Sequence, residues 1–276
     1  MHFTPTQQRL TTGFGLLVAL ALFITLGGWP LRLAVALVAA LSMHEFLELY
    51  WPGRVYIGRK VLGIALAMLI VLSQALDPLC ILAVLCLAAA AVFLVFLFDY
   101  GNGNTEAKLG HYSPLLHGFL YIPLVLQLAL YLSPAEQCLV MIAAIATDTG
   151  GYYVGTRFGR HKIWTLVSPK KSWEGLFGGL ALCLVAIPLL GLIGQAMEWN
   201  MLRLPAWGWL LTALILNLAA LLGDFFESAL KRSLNIKDSG TLLPGHGGLL
   251  DRLDSLLFAL PVFMIIRLAA NLLQGA

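Results

Sequence analysis

Acidic and basic side chains crowd into residues 224–254 of a chain that otherwise carries few of either. Asp224 and Glu227 leave one apolar run, with Lys231 and Arg232 behind them, and Asp251, Arg252 and Asp254 enter the next. Between the runs lies a turn-rich piece holding Lys237, Asp238, Pro244 and Gly245-His246-Gly247-Gly248. An ionisable group at membrane depth costs about 2.5–3.5 kcal/mol on insertion scales, so a cluster at the mouths of two apolar runs marks function. Residues three apart share a helix face, which pairs Asp224 with Glu227 and Asp251 with Asp254.

Asp148 adds a fifth carboxylate from another apolar run, within Thr147-Asp148-Thr149-Gly150-Gly151. Like charges gather in a low dielectric only where cations neutralise them. Two schemes are open. Lys231, Arg232 and Arg252 can serve as structural ion-pair partners. Alternatively, hard oxygen donors with no cysteine nearby and one histidine suit Mg²⁺ rather than Zn²⁺. On that scheme Asp224 and Asp251 flank one Gly-Pro turn and are the expected core ligands, with Asp148, Glu227 and Asp254 as outer members. Mg²⁺ beside a Lys/Arg-rich border is the equipment of nucleotide phosphate chemistry. His246 either touches a phosphate or ends a turn.

A second basic stretch follows Asp148: Lys162, then Ser168-Pro169-Lys170-Lys171-Ser172-Trp173-Glu174-Gly175. Its plain reading is the cytoplasmic flank of two spans. Its functional reading is a phosphate cradle, with lysines as point charges and Ser172 leading into a helix N-terminus. It is not a Walker A loop, because the glycine spacing is missing.

The elements that carry these residues are set by composition. The chain is 60% hydrophobic and 11% charged, against about 25% charged in soluble domains, which makes it an integral membrane protein. Its apolar runs are continuous rather than alternating, which selects helices over a barrel. Nine spans are expected, near 13–28, 30–49, 61–76, 78–98, 113–132, 136–156, 174–194, 206–230 and 249–272. The fold class is therefore an all-α polytopic membrane protein, read as one domain over residues 1–276 with catalytic elements in 147–175 and 223–255. With a cytoplasmic N-terminus, fourteen of the seventeen Lys and Arg residues fall on the cytoplasmic side, a strong positive-inside bias. That places the 224–254 turn in the cytoplasm and the C-terminus outside.

Other features read as structure. Trp29, Tyr50, Trp51, Trp199, Trp207 and Trp209 sit at span ends, as an interfacial belt would. Cys80, Cys86, Cys138 and Cys183 lie in apolar runs and read as small core residues. Glu45 and Glu48 either join a site or, as the favoured reading, take a paired or interfacial role, and Pro123, Pro188 and Pro261 read as kinks.

From Ser228 to Asp254, SALKRSLNIKDSGTLLPGHGGLLDRLD closely resembles the signature of phosphatidate cytidylyltransferases, the CDP-diacylglycerol synthases. Asp148-Thr-Gly and Ser168-Pro-x-Lys171-Ser-Trp-Glu174-Gly resemble that family's upstream elements, with Gly151 standing where alanine is expected and Ser172 where threonine is. The resemblance is strong over residues 147–260 and general over the first hundred. It implies transfer of CMP from CTP to phosphatidate with Mg²⁺, in the bacterial inner (cell) membrane with the active site facing the cytoplasm. Asp148, Lys171, Asp224, Lys231, Arg232, Asp251 and Arg252 are then the catalytic candidates, and Lys170, Lys171, Ser172, Lys237 and His246 the nucleotide-binding ones. CTP, phosphatidate and membrane lipid are the expected partners, with no nucleic acid, and a homodimer is left open. The alternatives are a cytidylyltransferase for another lipid phosphate and, from another class, a cation- or proton-coupled transporter.

Overall fold

Helices account for nearly every apolar run. A computed structural model of the chain describes residues 5–103, 107–237, 239–240, 242 and 247–274. Its helices are α1 (Pro5–Leu26), α2 (Gly28–Tyr50), α3 (Ile57–Leu72), α4 (Pro78–Gly101), α5 (Ser113–Tyr121), α6 (Pro123–Leu126), α7 (Pro134–Phe158), α8 (Trp173–Ala196), α9 (Ala206–Ser233) and α10 (Leu250–Gln274). Among the described residues, eight helical segments are long and apolar enough to cross a membrane, and Gly13–Leu26 in α1 is a shorter ninth. The nine runs expected from the sequence are all there. The fifth is not one rod: Pro123 offers no N–H and crowds the preceding turn, so α5 stops, α6 restarts for one turn, and a 3₁₀ segment (Gln127–Tyr131) completes it. Pro188 and Pro261 are held inside α8 and α10.

Local chemistry fixes the helix starts. Ser133 caps α7 with a capping box to Glu136 and has Pro134 behind it. Asp77 caps α4 through the N–H of Leu79, and Ser172 caps α8 through the N–H of Gly175.

Contacts group the chain into two units. The first holds residues 1–130 and 238–250. In it α2 and α3 make the main pairing, and two ion pairs tie its polar ends. Lys60 Nζ reaches Glu48 Oε1 at 2.7 Å and the carbonyl of Gly53 at 2.6 Å. Arg59 and the hydroxyl of Tyr112 both donate to Asp99, at 2.5 and 2.6 Å. Glu45 is buried and its Oε2 accepts the N–H of Leu250 at 2.8 Å, so both acids of α2 have paired, structural roles. The window that makes α4 a span has a mean hydropathy of 3.1, yet only Ala88 and Val92 of the helix are buried. Lipid is the environment that tolerates such a surface.

The second unit holds residues 131–237 and 251–276, and its centre is the α7–α8 pair. Their backbones touch along a glycine stripe. A Cβ on Gly150 would lie 2.8 Å from the carbonyl carbon of Gly178, and one on Gly179 would lie 2.7 Å from the carbonyl oxygen of Thr147. Small residues at such a stripe let membrane helices approach closely, where van der Waals contact replaces the hydrophobic drive that lipid removes. Two sequence expectations need correction. Trp209 is fully buried, packed on Gly191, and Trp51 is buried too, so neither belongs to an interfacial belt. Of the four cysteines only Cys183 is buried; Cys86 and Cys138 lie on outward faces of apolar helices.

Candidate functional site

The second unit contains a cleft of about 870 Å³, lined by α7, the 159–172 loop, α8, α9 and α10. That size is near the top of the ~300–1,000 Å³ usual for small-molecule sites. Close approach of α7 and α8 sets one wall and brings Asp148 within reach of the Lys171 side chain from the loop before α8. The loop between them is not slack. The N–H of Trp173 donates to the carbonyl of His161 at 2.9 Å, and that of Ile163 to Lys171 at 3.3 Å, so its two arms run antiparallel. Glu174 locks the base of this hairpin. Its carboxylate accepts the N–H groups of Arg160 and His161 at 3.1 and 3.2 Å and meets His161 Nδ1 at 2.6 Å. Thus Lys162, Lys170, Lys171 and Ser172 are presented to the cleft.

Asp148, Lys171, Asp224, Lys231, Asp251, Arg252 and Asp254 all line this one cavity. Lys171 Nζ contacts Asp224 Oδ2 and stands 4.0 Å from Asp148 Oδ1. Burial opposes the Lys171 ammonium, but Asp224, Asp148 and Asp254 outweigh that and hold its pKa above the ordinary lysine value. Lys231 Nζ meets Asp251 Oδ1 at 2.5 Å and Glu227 Oε1 at 3.3 Å. Glu227 itself is 0% exposed, is held by this ion pair and is not part of the cleft wall. Asp148 is the open member, with its side chain 52% exposed. Asp254 accepts the N–H of Ser255 at 2.7 Å and feels the charges of Asp224 and Asp148, while Arg252 acts on Asp148.

Two ammonium groups therefore pair with acids of the cleft: Lys231, which the ion-pair scheme named, and Lys171, which it did not. Among the described residues no three His, Cys, Asp or Glu side chains form a ready metal-holding group. Arg232 and Lys237 are exposed and do not line the cleft. His246, with Asp238 and Pro244, lies outside the described residues.

Asn217 was not singled out from the sequence, yet it lines the cleft and is 0% exposed. A signal existed: Asn217, Leu221, Asp224 and Lys231 recur at seam spacing on one face of α9, and all four line the cavity. A lone amide on that face of an apolar helix points at the same site.

The profile described as the cytidylyltransferase family matches residues 7–269. A phosphatidate cytidylyltransferase of Staphylococcus epidermidis is 30% identical over 269 residues, covering 94% of this chain and 97% of its own. The one of Bacillus subtilis (strain 168) is 32% identical over 267 residues, 92% of this chain and 95% of its own. Identity to the Staphylococcus aureus (strain COL) protein reaches 47% over 120 residues, 44% of each chain.

Proposed function

Because the chain belongs to the cytidylyltransferase family, we propose that it transfers CMP from CTP to phosphatidate, as its relatives' name describes. The observation that carries this reading is the cleft in which Lys171, Lys231 and Arg252 meet Asp148, Asp224, Asp251 and Asp254.

A phosphatidate oxygen, already anionic near neutral pH, attacks the α-phosphorus of CTP. The new P–O bond gives CDP-diacylglycerol, and the bond to the bridging oxygen breaks to release pyrophosphate. No strong base is needed; the barrier lies in bringing two anions together and in line. Lys170, Lys171 and Arg252 supply the positive charge for the triphosphate, and Ser172 fixes the loop that carries the lysines. Asp148, Asp224 and Asp251 line one cleft and offer only hard oxygens, the donor type Mg²⁺ takes, which supports it as the cofactor. With Lys171 turned to a phosphate, Asp224, Asp251 and Asp148 would hold the ion, with Asp254 and Glu227 behind them. When bound, it screens the triphosphate and polarises the phosphorus under attack. The acids gather with lysines around one open cleft, and a transporter's relay would instead string them through the span.

The reaction is tested by incubating purified protein with labelled CTP, Mg²⁺ and a panel of lipid phosphates. Label should appear in CDP-diacylglycerol. Faster transfer to another lipid phosphate would reassign the substrate, and no transfer would reject the activity. The protein is a multi-pass membrane protein, and its basic flanks support a cleft facing the cytoplasm of a bacterial inner membrane. A reporter after Ala276 should then read outside and one near Asn235 cytoplasmic; both on one side would overturn that orientation. CTP and membrane lipid suffice as partners, without nucleic acid.

A further inference from the structure

Asn217 stands at the middle of α9, seven residues before Asp224. Neither its Oδ1 nor its Nδ2 has a hydrogen-bond partner, although both are buried. Inside a span such an amide is disfavoured unless something completes it. The surrounding protein does not. Thr147 Oγ1 is already bonded to the carbonyl of Ala143 at 2.9 Å, and Gly179 presents bare backbone, where a Cβ would lie 3.0 Å from Asn217 Oδ1. Two helical turns, about 10 Å, separate Asn217 from the acids, in the direction of the apolar centre. Leu176 and Leu221 line the cleft with it.

A ligand reaching this floor must carry a polar acceptor below a phosphate and apolar chains beyond. Of the two substrates in the reading above, on which this inference rests, the lipid has that order: phosphate, ester carbonyls, acyl chains. We propose that Asn217 is a specificity-determining residue that reads the lipid, its amide N–H donating to an ester carbonyl of the diacyl substrate while the phosphate sits at the level of Asp224. The protein itself supplies the amide no partner because that partner arrives with the substrate.

The test compares diester phosphatidate with its dialkyl ether analogue, which keeps the phosphate and chains but lacks the carbonyls. Wild type should use the ester about tenfold better in kcat/KM, the value of one buried hydrogen bond. N217L and N217A should lose that factor on the ester and none on the ether, with KM for CTP unchanged. Both should melt no lower than wild type, since no hydrogen bond of the free protein is removed. Equal loss on both lipids with a lowered melting temperature would make the amide structural and overturn the proposal. A raised KM for CTP with the ester preference intact would overturn it in favour of the base. Wild-type turnover without ester preference breaks this inference alone, whereas wild-type failure on either lipid breaks the reading of function beneath it.

Discussion

Two carboxylates of α7, Glu136 at its start and Asp148 at its middle, each face a basic side chain, and they differ in what is left over. At its start Glu136 is closed in: Oε2 accepts the N–H of Ser133, Oε1 that of Leu202 at 3.1 Å, and Arg267 Nε stands 3.4 Å away. Twelve residues on, Asp148 is half exposed, with Lys171 at the limit of an ion pair. The same cavity adds Asn217, whose amide has no hydrogen-bond partner. Buried polar groups that serve stability are satisfied within the chain. The open Asp148 and the unsatisfied amide of Asn217 in one cleft separate the site from the staple at Glu136 more sharply than charge alone does.

The strongest way to break this comparison is at the acids of the cleft. Asp224→Asn or Asp251→Asn removes charge and keeps shape, and should lower turnover by at least about a hundredfold while the protein still purifies folded. Turnover, Mg²⁺ dependence and thermal stability measured together decide it. A variant with normal turnover and an unaltered Mg²⁺ response would leave these acids as ion-pair partners only.

Lys171 comes next. Lys171→Ala should weaken CTP use more than lipid use, by roughly 1.5–3 kcal/mol, seen as a raised KM for CTP. Its raised pKa also fixes a sign. Stability from a lysine raised in the folded state is fully present below the ordinary value of about 10.4 and lost only as pH rises through the folded one. The melting difference between wild type and Lys171→Met should therefore stay flat from about pH 7 to about 9. A slope there would mean that the neighbouring acids do not hold the ammonium.

The glycine stripe sharpens the comparison on its structural side. Gly150→Ala forces a Cβ into the α8 backbone and should cost about 1–3 kcal/mol of stability, read by thermal melting. Gly151→Ala meets nothing closer than 3.6 Å and should be neutral, in keeping with the alanine expected there from the family resemblance. The smallest effect is at the staple. Glu136→Gln should lower stability by about 1–2 kcal/mol and leave turnover per folded molecule unchanged. A catalytic loss with intact stability would erase the distinction between the two carboxylates.

Much of this was legible in the sequence, because span length and charge placement are one-dimensional signals. The nine apolar runs and the gathering of Asp148, Lys171, Asp224 and Asp251 in one cavity needed no coordinates. What needed them depends on direction around a helix or across a loop. Arg232 and Lys231 are neighbours in sequence, yet only Lys231 faces the cleft, since adjacent residues differ by about 100°. Glu45 could not be matched to the N–H of Leu250, more than two hundred residues on. Trp209 lies near a span end like the other tryptophans, and only the bare surface of Gly191 explains why it is buried.

The glycine stripe beside Asp148 has one more consequence, for a lineage rather than a molecule. Every single-base change in a glycine codon either leaves glycine, stops the chain or adds a side chain. At Gly150, Gly178 and Gly179 an added carbon meets backbone or a β-branched valine instead of open space. These positions have no neutral neighbours in sequence space. Drift at the acid of the cleft can proceed through the residues around it, but not through the wall it leans on.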